Sequence, residues 1–174
     1  MIITITGLPG SGKSTIGKML AQKLGYTFIS MGDLRGKLAV SKGLTIEQLN
    51  ALGEKEDWTD KLIDEEFKQL ATQDNLVIDS RVAFHFIPDS FKVFLTVAME
   101  EGAKRILHQK RDDESYSHLQ ETILALEKRI NSDALRYKKY YGFDFRDEKH
   151  YDIILDTTIT KEEETLNKIM NALA

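Results

Sequence analysis

Gly7-Leu8-Pro9-Gly10-Ser11-Gly12-Lys13-Ser14-Thr15 is the stretch that decides the fold of this chain of 174 residues. It contains the full pattern G-x-x-x-x-G-K-[ST], whose glycines let backbone N–H groups surround a phosphate. The β-branched run Ile2–Thr6 precedes it and predicts a buried parallel strand. Apolar residues at helical spacing follow it up to Leu24. Strand, glycine loop and helix in this order predict a nucleoside triphosphate site.

Two side chains of this loop and one acid further along the chain are candidates to bind the phosphates and Mg²⁺. Lys13 is expected to reach the β- and γ-phosphates, and the hydroxyl of Ser14 to ligate Mg²⁺. The apolar run Leu76–Ile78 ends in Asp79, as a Walker B strand does. Asp79 is therefore predicted to orient Mg²⁺ or a water of its shell.

Composition excludes several classes of protein. The net charge of −4 argues against a broad nucleic-acid-binding face. The absence of cysteine excludes disulfides, cysteine–zinc sites and thiol catalysis. No apolar run approaches the roughly 20 residues of a membrane helix, and the run from Met1 leads directly into the glycine loop. We therefore expect a cytoplasmic protein, with a monomer as the default state.

Hydrophobic periodicity predicts strands that alternate with helices, which is typical of a parallel sheet covered on both faces. The expected architecture is α/β, a three-layer α/β/α P-loop fold with a five-stranded parallel sheet, and residues 1–174 are expected to form one domain. The predicted strands are Ile2–Thr6, Thr27–Ser30, Leu76–Asp79, Lys92–Val97 and Asp152–Asp156.

Two long insertions interrupt this alternation, at about residues 33–72 and 110–136. In a phosphotransfer enzyme, insertions of this kind form mobile flaps over the acceptor and the donor. In the first insertion, Leu62, Phe67 and Leu70 mark the apolar side of a predicted helix over 56–72. In and beyond the second, apolar residues at helical spacing predict a helix over 115–137.

Local signals predict where other helices begin and end. Gly25 is expected to end the first helix. The segments 45–48 and 160–163 both have the form of a capping box, in which a threonine and an acid or amide three residues later satisfy the first N–H groups of a helix.

Charged residues at strand ends and on the last long helix indicate an anion site. Asp33 and Arg81 follow the carboxyl ends of predicted strands, where open parallel sheets bind ligands. Arg129 and Arg136 lie about two helical turns apart and so share a face, with Asp133 between them. Phosphoryl transfer requires such positive charge around the transferring group.

A GTP switch and a histidine metal site are both excluded, because the chain lacks the residue patterns that they need. Asp33-Leu34-Arg35-Gly36 matches the D-x-x-G of GTPases, but no N-K-x-D guanine motif follows a strand, so a GTP switch is excluded. The four histidines have no spacing suited to a metal site.

These motifs, taken together, resemble the nucleoside monophosphate kinases, and most closely the short cytidylate (CMP) kinases typical of archaea. The phosphate loop is shared by many families and does not identify one. The tyrosine-rich stretch after Arg136 and the Asp-Ser-Arg after the third strand are the segments that indicate this family. The matching segments are 3–15, 24–30, 32–33, 79–81, 103–106, 132–133, 136–137, 140–142 and 151–157.

The resemblance implies an enzyme that transfers a phosphoryl group from ATP, with Mg²⁺, to CMP or dCMP. Asp33 and Arg81 would then face the acceptor, with Asp133 and Arg35 beside them. Arg129 and Arg136 would reach the transferring phosphate. The residues implied near the donor nucleotide are Arg105, Arg111 and Thr157.

The chain departs from the family pattern on the acceptor side. The family has an arginine three residues after the aspartate of Gly-Asp, and here that position is Gly36, with Arg35 next to it. Two alternatives therefore stay open. One is a related kinase whose acceptor is AMP, UMP or a small molecule that is not a nucleotide. The other is a regulatory protein that binds ATP without catalysis.

Overall fold

The computed structural model describes residues 1–108 and 118–174. Its strands all run parallel in one sheet, and each begins and ends within one residue of its predicted position. They are β1 (Ile2–Gly7), β2 (Thr27–Ser30), β3 (Leu76–Asp79), β4 (Phe91–Thr96) and β5 (Ile153–Asp156). The order across the sheet is β2-β3-β1-β4-β5. The prediction of a five-stranded parallel sheet is confirmed.

Helices cover both faces of this sheet, which confirms the three-layer architecture. Because neighbouring residues of a strand point to opposite faces, Ile3 and Ile5 of β1 belong to one core and Ile2 to the other. The first core includes the helices Lys13–Leu24 and Glu162–Leu173, and the second includes the helices Trp58–Leu70, Ala83–Phe86 and Leu119–Tyr141. The helices of the described ranges are α1 (Lys13–Leu24), α2 (Met31–Ser41), α3 (Ile46–Lys55), α4 (Trp58–Leu70), α5 (Ala83–Phe86), α6 (Met99–His108), α7 (Leu119–Tyr141) and α8 (Glu162–Leu173), with a short 3-10 helix at Glu148–His150.

Most predicted helix ends agree with the structure. Gly25 ends α1 in the left-handed conformation, and Thr45 and Gln48 form the predicted capping box at the start of α3. The prediction at 160–163 is wrong, because α8 is preceded by Lys161 without a side-chain cap. The hydroxyl of Thr160 donates instead to the carbonyl oxygen of Asp156, 3.0 Å away.

The predicted apolar side of α4 needs one correction. Phe67 and Leu70 are buried as expected, but Leu62 is 46% exposed. Ile63 packs on the core in its place, because residues 63, 67 and 70 follow the helical period and residue 62 lies about 100° away.

α7 continues four residues beyond the predicted end, to Tyr141. The segment Ser115–Ser117, where this helix was predicted to begin, lies outside the described residues, as does most of the first half of the insertion predicted at 110–136. Within the described ranges, no helix combines the length and apolarity needed to cross a bilayer.

The sheet order brings two predicted site segments together. β1 and β3 are neighbours, with Ile5 opposite Asp79. The loop that follows β1 and the segment Asp79–Arg81 that follows β3 therefore lie side by side at the carboxyl edge of the sheet. α2, α3 and α4, which occupy the insertion predicted at 33–72, connect β2 to β3.

Candidate functional site

The loop between β1 and α1 has the backbone of a phosphate cradle. Gly10 and Gly12 have φ angles of +77° and +82°, a left-handed region that other residues adopt at a cost. Gly12 directly precedes α1, so the unpaired N–H groups of the first helical turn face the space enclosed by the loop. The hydroxyl of Ser11 is buried and has no hydrogen-bond partner among the described residues. A phosphate bound here would meet several donors and the positive end of a helix.

The cradle is supported from below by helix α6. A Cβ atom placed on Gly102 would lie 2.7 Å from the carbonyl oxygen of Pro9 and 3.2 Å from Val97 Cγ1. A Cβ atom on Gly10 would lie 2.4 Å from the carbonyl oxygen of Gly102. The two backbones thus touch without side chains between them, which fixes the height of the loop above the sheet.

We expect Gly102→Ala to weaken ATP binding about tenfold, because the added methyl group must push Pro9 and the loop out of position. Isothermal titration calorimetry with Mg-ATP measures this change. Lys104→Ala, at an exposed position of the same helix, is the control and should leave the affinity unchanged. Equal affinity of Gly102→Ala and the parent protein would show that the loop does not depend on this contact.

Arg105 and Thr157, both implied to lie near the donor nucleotide, brace the loop in the structure. The guanidinium of Arg105 donates to the carbonyl oxygens of Gly10 (3.3 Å), Thr157 (2.7 Å) and Thr158 (3.1 Å). The buried hydroxyl of Thr157 lies 3.1 Å from the carbonyl oxygen of Ser11 and 2.9 Å from that of Thr96, and the two oxygens share its proton. Both residues border the same cleft as the loop. Arg111 lies outside the described residues.

Ser14 and Asp79 meet at the mouth of the loop. The hydroxyl of Ser14 donates to Asp79 Oδ2 over 2.6 Å, and Asp79 is buried. This pair of oxygen ligands, open on the side of the cradle, fits Mg²⁺ that takes its remaining ligands from phosphates and water. Residues 1–108 and 118–174 contain no cluster of three or more acids, histidines or cysteines that could hold a metal ion.

Opposite the loop, two buried aspartates hold three arginines, and we call Arg35, Arg81 and Arg136 the arginine cluster. Asp133 is 3.1 Å from Arg81 Nη1 and 3.0 Å from Arg136 Nη2. Asp60 is 3.5 Å from Arg136 Nε and 3.6 Å from Arg35 Nη1. Arg136 is only 3% exposed. The face predicted from the spacing of Arg129, Asp133 and Arg136 is therefore turned inward, and it meets Arg35 and Arg81 from other elements.

This arrangement leaves positive charge and unsatisfied donors in the cleft. Three guanidinium groups face two carboxylates, an excess of one positive charge. Nε of Arg81, Nε of Arg136 and Oδ2 of Asp133 are buried and lack a hydrogen-bond partner among the described residues, although Asp133 Oδ2 lies 3.1 Å from Arg81 Nη1. Because buried donors are almost always satisfied in native proteins, the two Nε groups are candidates to bind an anion.

The surroundings lower the pKa of Arg35 and raise that of Arg136. Burial lowers the pKa of Arg35, and the positive charge of Arg136 acts in the same direction, against the attraction of Asp60. Burial also lowers the pKa of Arg136, but Tyr137, Asp133 and Asp60 outweigh it and raise the pKa above its ordinary value. An anion would relieve the repulsion between Arg35 and Arg136.

Two residues that the sequence did not single out shape the cluster. Asn50 Oδ1 accepts hydrogen bonds from Arg35 Nε (2.8 Å) and Arg136 Nη1 (3.4 Å). A Cβ atom on Gly53 would lie 3.0 Å from Arg35 Nη2 and 2.8 Å from Thr59 Oγ1. Arg35 thus fits beside Arg136 because α3 offers an amide oxygen and a position without a side chain. Gly36, where the family has arginine, borders open space.

α3 and α4 are bound to the C-terminal half of α7 by polar contacts. One contact of α4 is with the hydroxyl of Tyr141, which donates to Asp64 Oδ1 over 2.7 Å. The hydroxyl of Tyr140 donates to the carbonyl oxygen of Gly53 over 2.6 Å, and Lys139 Nζ donates to that of Glu54 over 2.9 Å. The hydroxyl of Ser132 contacts the Glu54 carboxylate. These contacts hold the helices that carry Asn50 and Asp60 against the helix that carries Arg136.

A cleft of about 750 Å³ joins the two ends of the site. Lys13 borders it at the loop and Arg129 at α7, and the exposed Asp33 borders it at α2. The backbone N–H of Asp33 donates to Ser30 Oγ, which caps α2. Among the described residues, all predicted site residues except Gly7 and Leu8 border this cleft, with the phosphate loop at one end and the arginine cluster at the other.

Comparisons with known proteins agree with this geometry. Residues 2–159 match the model of a family described as the cytidylate kinase-like family. The cytidylate kinase of Methanothrix thermoacetophila is 35% identical over 173 residues, which cover 99% of this chain and 98% of that protein. An S-adenosylmethionine-dependent nucleotide dehydratase of Lacinutrix mariniflava is 38% identical over 157 residues, 89% of this chain. The chain spans only 32% of the length of that relative.

Among solved structures, the shikimate kinase of Bacteroides thetaiotaomicron superposes with a TM-score of 0.69. The superposition covers 99% of this chain and 98% of that one, at 19% identity. At this identity the likeness shows a shared fold, and it places the chain among proteins built on the same three-layer sheet.

Proposed function

The chain belongs to the cytidylate kinase-like family, and from this premise we propose that it transfers the γ-phosphoryl group of ATP to CMP or dCMP. As a member of that family it is a nucleoside monophosphate kinase, an enzyme of ATP-dependent phosphotransfer to a nucleotide. The observation that carries the choice of a monophosphate acceptor is the arginine cluster, with its two unsatisfied Nε donors, across the cleft from the phosphate loop.

At the donor end, we assign the β- and γ-phosphates of ATP to the backbone of residues 7–15 and to Lys13. Ser14 and Asp79 would hold Mg²⁺, which when bound neutralises charge on those phosphates. Arg105 and Thr157 keep the loop in place beneath the nucleotide. We further propose that Arg111 and Arg129 approach the donor and the transferring group from the second insertion.

At the acceptor end, we assign the phosphate of the monophosphate to Arg81 and Arg136, with Arg35 beside them and Asp60 and Asp133 as their supports. Asp33 would face the sugar or base. An oxygen of this phosphate forms the new bond to the γ-phosphorus, while the bond from that phosphorus to the β–γ bridging oxygen breaks and ADP leaves with the electron pair.

The reaction needs no general base, because the attacking phosphate oxygen is already anionic at neutral pH. The requirement is that two highly charged groups approach in line, so the catalytic contribution is positioning and charge neutralisation. Lys13 and the arginine cluster supply positive charge from opposite sides of the cleft. Exclusion of water by closure over the donor would prevent hydrolysis of ATP.

The acceptor is tested by ADP release in a coupled assay with Mg-ATP and one monophosphate at a time: CMP, dCMP, UMP, AMP or GMP. We expect CMP or dCMP to stimulate ADP formation at least tenfold more than the others, measured as kcat/KM. Stronger stimulation by another monophosphate would show that this monophosphate, and not CMP or dCMP, is the acceptor. Tight ATP binding without stimulation by any of them would contradict the proposed function and favour a different acceptor class or a regulatory role.

A further inference from the structure

Asp64 lies on the cleft wall just beyond the arginine cluster. Asp60 and Asp64 are four residues apart on α4, so they share a face and are separated by about one helical turn, roughly 5.4 Å. Both border the cleft. Because Asp60 supports the arginines that we assign to the acceptor phosphate, Asp64 lies where the rest of the acceptor nucleotide would extend.

The surroundings of Asp64 suit a flat ring. Ile63, Phe67, Tyr137 and Tyr141 also border the cleft. Phe67 is fully buried and stacks on Phe86, with ring centroids 4.9 Å apart. A nucleobase is bound in proteins mainly by apolar and aromatic walls, with few polar groups that fix its identity. Asp64, on α4, is the carboxylate beside these side chains.

The carboxylate of Asp64 is oriented by Tyr141. The hydroxyl of Tyr141 donates to Asp64 Oδ1 over 2.7 Å. Burial and this hydrogen bond both raise the pKa of Tyr141, so its hydroxyl remains a donor. Within the described part of the chain, Oδ2 of Asp64 has no hydrogen-bond partner of its own. One oxygen is thus occupied by Tyr141, and the other can accept a hydrogen bond from a ligand.

Burial raises the pKa of the Asp64 carboxyl, and the hydrogen bond from Tyr141 opposes this shift. A carboxylate that has lost part of its hydration gains from a further N–H donor. A ligand that presents an acceptor oxygen at the same place would instead meet repulsion and leave the carboxylate unsatisfied.

We propose that Asp64, oriented by Tyr141, accepts a hydrogen bond from the exocyclic amine of the acceptor base and so selects amino-bases over oxo-bases. This inference rests on the proposed function. Cytosine carries an amine at position 4, a good donor to a carboxylate. Uracil carries an oxygen there and is rejected. Adenine also carries an amine, so Asp64 distinguishes CMP from UMP but not CMP from AMP.

Asp64→Asn tests the proposal with almost no change of shape. The amide oxygen still accepts from Tyr141, and an NH₂ donor replaces Oδ2. We expect kcat/KM for CMP to fall about 10- to 100-fold and that for UMP to rise, so that the CMP/UMP ratio shifts by at least 100-fold. The KM for ATP should stay unchanged. Glu65→Gln, at the exposed neighbouring position, is the control and should keep the parental ratio.

A second variant and a binding measurement guard against misfolding as an explanation. Tyr141→Phe leaves Asp64 in place but removes its orienting donor, and we expect a smaller fall of the same ratio. Calorimetric titration with CMP and with UMP should show the same shifts in Kd. An unchanged CMP/UMP ratio in Asp64→Asn, with an active parent enzyme, overturns this inference and leaves the proposed function standing. A parent enzyme that phosphorylates no cytosine nucleotide overturns both.

Discussion

Replacing Lys13 by alanine is expected to lower kcat/KM for the ATP-dependent reaction about 10³-fold without unfolding the protein. Lys13 is the first residue of α1 and borders the cleft at the phosphate loop. Its ammonium group is the side-chain charge that we assign to the β- and γ-phosphates. The loop backbone and the helix N-terminus remain in the variant, so ATP should still bind, although more weakly.

The measurement combines the coupled assay with thermal unfolding followed by circular dichroism. The melting temperature should stay close to that of the parent protein, since Lys13 is not part of either hydrophobic core. Lys23→Ala, at the exposed end of the same helix, is the matched control for a lost lysine. Turnover at the parental rate by Lys13→Ala would remove this residue from the mechanism.

Arg136→Leu is expected to damage both stability and catalysis. Arg136 is buried, and its guanidinium contacts both Asp60 and Asp133. Removal of one member of a buried ion network costs up to about 3–5 kcal/mol. Asp60 and Asp133 each lose one partner and keep Arg35 and Arg81 respectively. Loss of a charge at the acceptor phosphate should in addition lower kcat/KM by a factor on the order of 10³. Urea unfolding and the coupled assay measure the two effects separately.

A double variant measures how strongly Arg136 and Asp133 are coupled. Because they are in direct contact, the losses of stability in Asp133→Asn and Arg136→Leu should not add in the double variant, and the double variant should recover no activity. Lys138→Ala, at an exposed position of α7, should change neither quantity. If Arg136→Leu unfolds at the same urea concentration as the parent, the guanidinium does not hold the two aspartates together.

The donor half of the site could be predicted from the sequence because its parts are local. The phosphate loop, its strand and its helix are contiguous, and Asp79 follows an apolar run that is recognisable as a buried strand. The parallel sheet then requires Ser14 and Asp79 to meet, and they do. The spacing of Arg129, Asp133 and Arg136 also predicted one shared helical face correctly.

The acceptor half could not be predicted to the same depth, because its contacts join residues that are distant in sequence. Asn50 binds both Arg35 and Arg136, and the Gly53 backbone accepts from Tyr140. Asp60 and Asp64 are four residues apart on one helix, and this spacing indicates that the two acids share a helical face. Periodicity alone does not say what lies opposite such a face. The position of Arg35 depends on the space at Gly53, which is a property of three helices together.

The two buried aspartates of the arginine cluster have a consequence for the entropy of binding. An arginine side chain in solution has about 2 kcal/mol of rotamer entropy to lose when it is fixed. Asp60, Asp133 and Asn50 hold the three guanidinium groups in place through the protein's own contacts. The ordering therefore occurs during folding, and an arriving anion meets donors that no longer have to be immobilised. Acids that reduce the net positive charge of the site can in this way still favour the binding of an anion.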